Sequence, residues 1–180
     1  QDTACMSDPQ PKPADLDHAI EEANQPPFAK GPPPLSSFDL VLHHDGSWTH
    51  EGQAFRNQRL RDKFDVSVRY LPEEGGVHVV QIGRFRGLVD VEEAGFFVED
   101  IDLARGKVKL SDLGEATMDV ASLTTSPIDG ALLCRVKHDL EPKGVLARFT
   151  HRAQSEFMNA VDDSGETIEV AGKQVALPAL

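Results

Sequence analysis

Residues 43–64 read HHDGSWTHEGQAFRNQRLRDKF and residues 77–98 continue VHVVQIGRFRGLVDVEEAGFFV. The first of these stretches opens on a hairpin signal. Asp45-Gly46 supplies the left-handed turn that joins two strands. Before it Phe38, Leu40 and Leu42 alternate with Asp39, Val41 and His43, the period of a half-buried strand. After it Trp48 and His50 fall on one face of the returning strand, and Glu51-Gly52 turns the chain again. Asn57 is placed to cap a short helix through Phe64, with Leu60 and Phe64 four apart toward the core. The second stretch is a meander. Strands are predicted around Val66–Tyr70, Val77–Ile82, Phe85–Val91 and Phe96–Leu103, with turns at Pro72–Gly76 and near Gly83.

Outward from this region the order hairpin, helix, hairpin recurs in shortened form. Gly130 opens it, and Ala131–His138 and Val145–Phe149 form its first hairpin. Thr150 caps a helix over 151–161 whose apolar stripe is Ala153, Phe157, Ala160 and Val161. Ser164-Gly165 and Ala171-Gly172 bracket a last hairpin. The fold class is therefore α+β, two small units of antiparallel sheet with one helix each. Residues 1–35 are acidic and Pro-rich, ending in Gly31-Pro32-Pro33-Pro34, and read as a disordered tail with room for one short helix over residues 14–23. Residues 36–104 form the N-terminal unit and residues 105–180 the C-terminal one. Residues 1–5, before Met6, read as a remnant ahead of a natural start.

The chain carries a formal net charge of −12, and each of the segments 1–37, 38–104 and 105–180 holds more acidic than basic residues. That distribution repels polyanions and speaks against nucleic-acid binding. No apolar run approaches the roughly 18 residues that cross a bilayer. Two cysteines, Cys5 and Cys134, fit a reducing compartment, and the expected location is the cytoplasm. Cys134 alternates with Leu132 and Val136 and is expected in the core. His43, His44 and His50 cluster on the first hairpin. His43 and His44 point to opposite strand faces, which argues against a metal site, and no cofactor is expected.

The strongest site signal is Gly83-Arg84-Phe85-Arg86. On a regular strand Arg84 and Arg86 share a face about 7 Å apart, a spacing that suits a phosphate or carboxylate. Arg148, on the second unit's hairpin, is expected to converge with them. Trp48 offers a stacking wall and His50 a neighbouring polar group. The alternative is that the arginines pair with Asp90, Glu92 or Glu93 on a solvated face and that Trp48 packs in the core.

The pattern DGSWTHEG, then a helix, then VVQIGRFRGLVDVEEAGFFV, resembles domain-of-unknown-function family 1285. The residues that carry the likeness are Asp45, Gly46, Trp48, His50, Gly52, Leu60, Phe64, Val89, Val91, Glu92, Glu93, Ala94 and Phe96. Ile82–Arg86 stands where the family has a TP-x-EK segment. The run GALLCRVKH with ARFTHRAQSEF resembles a second family, domain of unknown function 4505. The first resemblance implies a small α+β unit followed by one like a pleckstrin-homology barrel, with a small, nucleotide-like ligand between them and a signalling role.

Three functional readings stand side by side. One is a cytoplasmic, regulatory protein that binds a small anionic ligand. The second is a protein–protein interaction module, which includes self-association. The third is an enzyme of a type its sequence does not display.

Overall fold

The computed structural model describes residues 15–26 and 30–180. The first hairpin forms as its turn residues require. Strands β1 (Ser36–Leu42) and β2 (Trp48–His50) pair antiparallel, with Leu40 opposite His50 and Leu42 opposite Trp48. The Asp45 carboxylate accepts from the Ser47 amide and hydroxyl at 2.9 and 2.6 Å, and Gly46 takes the left-handed φ of +84°. A short strand β3 (Gln53–Ala54) pairs with β2. Helix α2 (Gln58–Ser67) starts at Asn57, whose side chain accepts from the amides of Arg59 and Leu60. It runs one turn past Phe64 and takes in Val66, which alternation with Val68 and Tyr70 had assigned to a strand. Strands β4 (Val68–Leu71), β5 (Val77–Ile82) and β6 (Phe85–Val91) then form an antiparallel meander.

The two ends of this segment close on each other. β1 and β6 run parallel, Leu40 opposite Val89, so the first sheet has the order β3-β2-β1-β6-β5-β4. The second sheet repeats the plan. Strands β7 (Phe96–Asp102), β8 (Lys107–Leu110) and β9 (Glu115–Thr117) form one meander. Strands β10 (Thr124–Thr125), β11 (Leu132–Val136) and β12 (Val145–Phe149) form another. β12 lies parallel to β7, which gives the order β10-β11-β12-β7-β8-β9. Where the first sheet has α2 between its meanders, the second has a single 3-10 turn, Val120–Ser122. Helix α3 (His151–Ala160), capped by the Thr150 hydroxyl, and the hairpin β13 (Thr167–Val170) and β14 (Lys173–Ala176) complete the chain.

The α+β class with two sheet units holds, with two corrections to detail. Each sheet has a parallel pair at its centre rather than being wholly antiparallel. The repeat begins at β7, not at Gly130. The chain changes sheets at Glu92–Gly95, so position 104 falls inside the β7–β8 hairpin. Local alternation marks β7 as a strand but says nothing about its partner.

One continuous apolar core joins the sheets, with Leu40, Trp48, Phe64 and Val80 from the first and Phe96, Leu110, Phe149 and Phe157 from the second. Helix α1 (Asp15–Ala23) adds Leu16 and Ile20 to it. Burying two such side chains contributes about 3–5 kcal/mol, enough to hold a nine-residue helix that would not persist alone. This is the short helix the sequence allowed over residues 14–23, set within a segment of otherwise tail-like composition. The rest of the disordered-tail expectation, residues 1–14 and 27–29, lies outside the described residues, as does Cys5. Asn24 fixes the helix end. Its amide donates to Ile82 O at 3.0 Å and its carbonyl accepts from the Arg84 amide at 2.9 Å. No described helix is long and apolar enough to cross a membrane.

Candidate functional site

His50 ends β2, on the same strand face as Trp48. Trp48 is a core residue. It is 1% exposed, donates from Nε1 to Asp65 Oδ1 at 2.7 Å, stacks on Phe55 and meets Phe64 edge-on. Burial pushes the Asp65 carboxyl above its ordinary pKa, against the opposing pull of that indole bond. At this exposure Trp48 presents no free face to a ligand. His50 is equally buried, yet neither Nδ1 nor Nε2 has a hydrogen-bond partner. A buried polar atom left unpaired costs about 1–3 kcal/mol, so such atoms in a native fold call for an account.

A cavity of about 420 Å³ lies beside this residue, with both ring nitrogens closed off from it. Leu16 and Asp17 of α1 form one wall. Phe55, Leu60 and the helix-capping residue Asn57 form another, with Gln53, Ala54 and Arg56 toward the rim. Turn geometry places the imidazole here. Glu51 and Gly52 both adopt left-handed backbone, at φ +50° and +75°, and fold β3 back along β2.

The expected arginine site divides in two. Arg84 and Arg86 share a recess of about 560 Å³ beside α1. Arg84 lies in the β5–β6 turn rather than on the strand, because Gly83 takes φ +60° there. Both side chains are engaged by the chain's own Pro-rich segment, Arg84 Nη2 donating to Gly31 O at 3.2 Å and Arg86 Nη1 to Pro33 O at 2.7 Å. Arg86 is 6% exposed, sits 3.6 Å from Glu74, and leaves its Nε unpaired.

Arg148 does not join them. It belongs to β12, donates to Glu93 Oε1 at 2.8 Å and bonds Asp129. Its hydrogen bond holds the Asp129 carboxyl down at about 2. Glu93 also accepts from the Ser126 hydroxyl. Next to it in sequence, Glu92 accepts from His43 Nδ1 at 3.2 Å and His44 Nδ1 at 3.0 Å, so the two histidines converge on one carboxylate instead of facing apart. The side-chain bond to Glu92 raises the His44 pKa. Among the described residues no group of three or more His, Cys, Asp or Glu is arranged to hold a metal. Cys134 is buried and its thiol is pushed up to about 12 by burial, which removes it as a nucleophile.

Of the residues the sequence singled out, His50 and Arg86 each border a cavity and hold buried side-chain nitrogens without partners. Leu16, Phe55 and Arg56 were not legible as neighbours of His50. The amphipathic spacing of Leu16 and Ile20 was the available signal for a covering helix.

No family model matches this sequence, and neither does any curated protein. Among solved structures the chain is similar to a DUF1285 family protein from Silicibacter pomeroyi DSS-3. The match covers 83% of this chain and 88% of that one, with TM-score 0.54 and 15% identity. A second match is to a DUF1285 family protein from Shewanella baltica OS155, over 67% of this chain and 91% of that one, with TM-score 0.44 and 14% identity. Neither match bears on the C-terminal likeness to family 4505, which is not confirmed. The structural neighbours of this chain are thus DUF1285 family proteins, and at such identity what it shares with them is the fold.

Proposed function

We propose that this protein binds a small ligand in the cavity floored by His50 and acts as a regulatory binding protein in the cytoplasm rather than as an enzyme. The observation that carries this reading is the imidazole itself, 1% exposed with both nitrogens unpaired. A catalytic histidine needs a second group to orient it and set its tautomer. His50 has no such partner, and a ligand in the cavity beside it would supply the missing bond by turning the ring toward it. The cavity's size lies within the range of small-molecule sites.

The test is a thermal-shift screen of the full chain. A ligand at 100 times its Kd adds about 2.7 kcal/mol, or about 5–10 °C for a chain of this length. The shift is expected to vanish in Leu60→Trp, which fills the cavity from its wall. Ligands whose shift survives Leu60→Trp would refute the assignment.

A second reading keeps the anionic ligand at Arg84 and Arg86. It is favoured by the shared recess of the two arginines and by the buried, unpaired Nε of Arg86. An anion there would have to replace the Gly31 and Pro33 carbonyls. A shift lost in Arg84→Ala/Arg86→Ala and kept in Leu60→Trp would select it.

A further inference from the structure

Resting on the second reading, an anion held by Arg84 and Arg86, we infer that residues 31–34 are a built-in competitor for that site. They form a strap of the chain's own backbone that occupies the two guanidiniums until an oxyanion, a phosphate or a dicarboxylate, displaces it.

The strap's oxygens stand where an anion's would. Arg84 Nη2 donates to Gly31 O at 3.2 Å and Arg86 Nη1 to Pro33 O at 2.7 Å. Pro32, Pro33 and Pro34 have no N–H, so these three residues offer the arginines acceptors and no donor. Among the described residues Glu74, 3.6 Å from Arg86, is the one carboxylate in ion-pair reach of either guanidinium. Glu22 of α1 lines the same recess. A bond from a guanidinium to an anion is roughly twice as strong as one to a neutral group. Contact for contact an oxyanion therefore outbids the carbonyls, while the strap has the advantage of its tether.

The strap is also lightly held. Gly31, Pro32 and Pro34 are exposed and Pro33 is half-buried, so little apolar surface is lost when it lifts. Its path depends on Gly31, whose φ of +93° is closed to a β-branched residue. A Cβ at Gly31 would meet nothing within 4 Å, so a substitution there strains the strap and leaves the arginines untouched. An incoming anion sees only the fraction of molecules whose strap has lifted, and its apparent Kd is the intrinsic one divided by that fraction.

The test titrates inorganic phosphate and malonate in turn against the full chain by calorimetry at constant ionic strength, with the Gly31 amide followed by NMR. Gly31→Val is expected to bind the fitting anion about tenfold more tightly than the unaltered chain, within the worth of a strained φ. Arg84→Gln, at a half-buried position, is expected to remove most of the binding in both backgrounds. The Gly31 amide is expected to move toward the position of an unstructured glycine as the anion binds. The tighter of the two anions identifies the class, phosphate or dicarboxylate. Equal affinity in Gly31→Val and the unaltered chain, or a Gly31 amide that does not move, would overturn the strap as competitor and leave the anion site standing. No binding of either anion to Gly31→Val, or binding indifferent to Arg84→Gln, would overturn the anion site and the strap's role with it.

Discussion

In the first sheet His50, His78 and Arg86 bury side-chain nitrogens that bond to nothing. In and around the second, the corresponding burden is met. Arg148 is bonded to Glu93 and Asp129, Lys137 lies 2.7 Å from Asp112 and 4.6 Å over the ring of Phe96, and the Ser111 hydroxyl accepts from the Phe97 amide. Among the described residues all four unpaired buried side-chain atoms belong to β2, β5 and β6. Two sheets with one strand order thus differ in how fully their buried polar side chains are paired. The second is internally satisfied, as a structural support is. The first holds buried nitrogens without partners, a cost that stability alone does not explain.

Substitutions test that division, and the largest effect should fall in the second sheet. Arg148→Met leaves Glu93, 7% exposed, buried with only the Ser126 hydroxyl. It is expected to cost about 3 kcal/mol in urea unfolding, and adding Glu93→Leu should recover most of the loss. A cost under about 1 kcal/mol would erase the contrast between the sheets.

Gly95, in the link between the sheets, comes next. A Cβ there would stand 2.2 Å from the His78 ring. Gly95→Ala is expected to cost about 1–3 kcal/mol and to displace that imidazole, visible as a change in its NMR titration.

The opposite sign is expected at the candidate site. His50→Leu replaces two unpaired nitrogens with carbon of similar bulk, so stability should be unchanged or about 1 kcal/mol higher. A loss of 2 kcal/mol or more would mean that His50 is a structural residue with partners of its own.

The smallest effect is with pH. Burial lowers the His78 pKa below its ordinary 6.5. The unfolded chain then takes up the proton first, so this group's contribution to stability is full above 6.5 and declines as pH falls from there toward the folded value. His44 has the opposite sign. Its pKa is raised by the bond to Glu92, so its contribution is present below 6.5 and fades as pH rises through the raised value. Comparing the chain with His78→Phe between pH 5 and 7 isolates the first effect, because the lowered carboxylates Glu92 and Asp129 remain ionised there. An unaltered pH slope in His78→Phe would show that His78 contributes none of it.

What the sequence disclosed follows from how local each signal is. The Asp45-Gly46 hairpin, the Asn57 and Thr150 caps, the helix at residues 151–160 and the buried Cys134 all appear where short-range chemistry placed them. The parallel joins of β1 to β6 and β7 to β12 were not legible, because pairing between distant strands leaves no mark in alternation. The site was half legible. His50 was named only as a polar group near the arginines, and the cavity beside it is walled by α1, from residues over thirty positions away. Arg84 and Arg86 do share a recess, though not by the expected backbone route. One glycine at positive φ moved Arg84 off the strand on which the shared-face argument relied.

The parallel joins also set an order of events as the chain acquires its structure. Leu40 meets Val89 and Phe96 meets Ala147, each roughly fifty positions away, so each sheet must close a long loop before its central pair can form. High contact order of this kind puts folding in the millisecond-to-second range. On a ribosome β1 has no neighbour on that side until β6 has emerged, and β7 waits in the same way for β12. Each half therefore passes through an interval with an open central edge, and the first half can be complete before the second is fully synthesised.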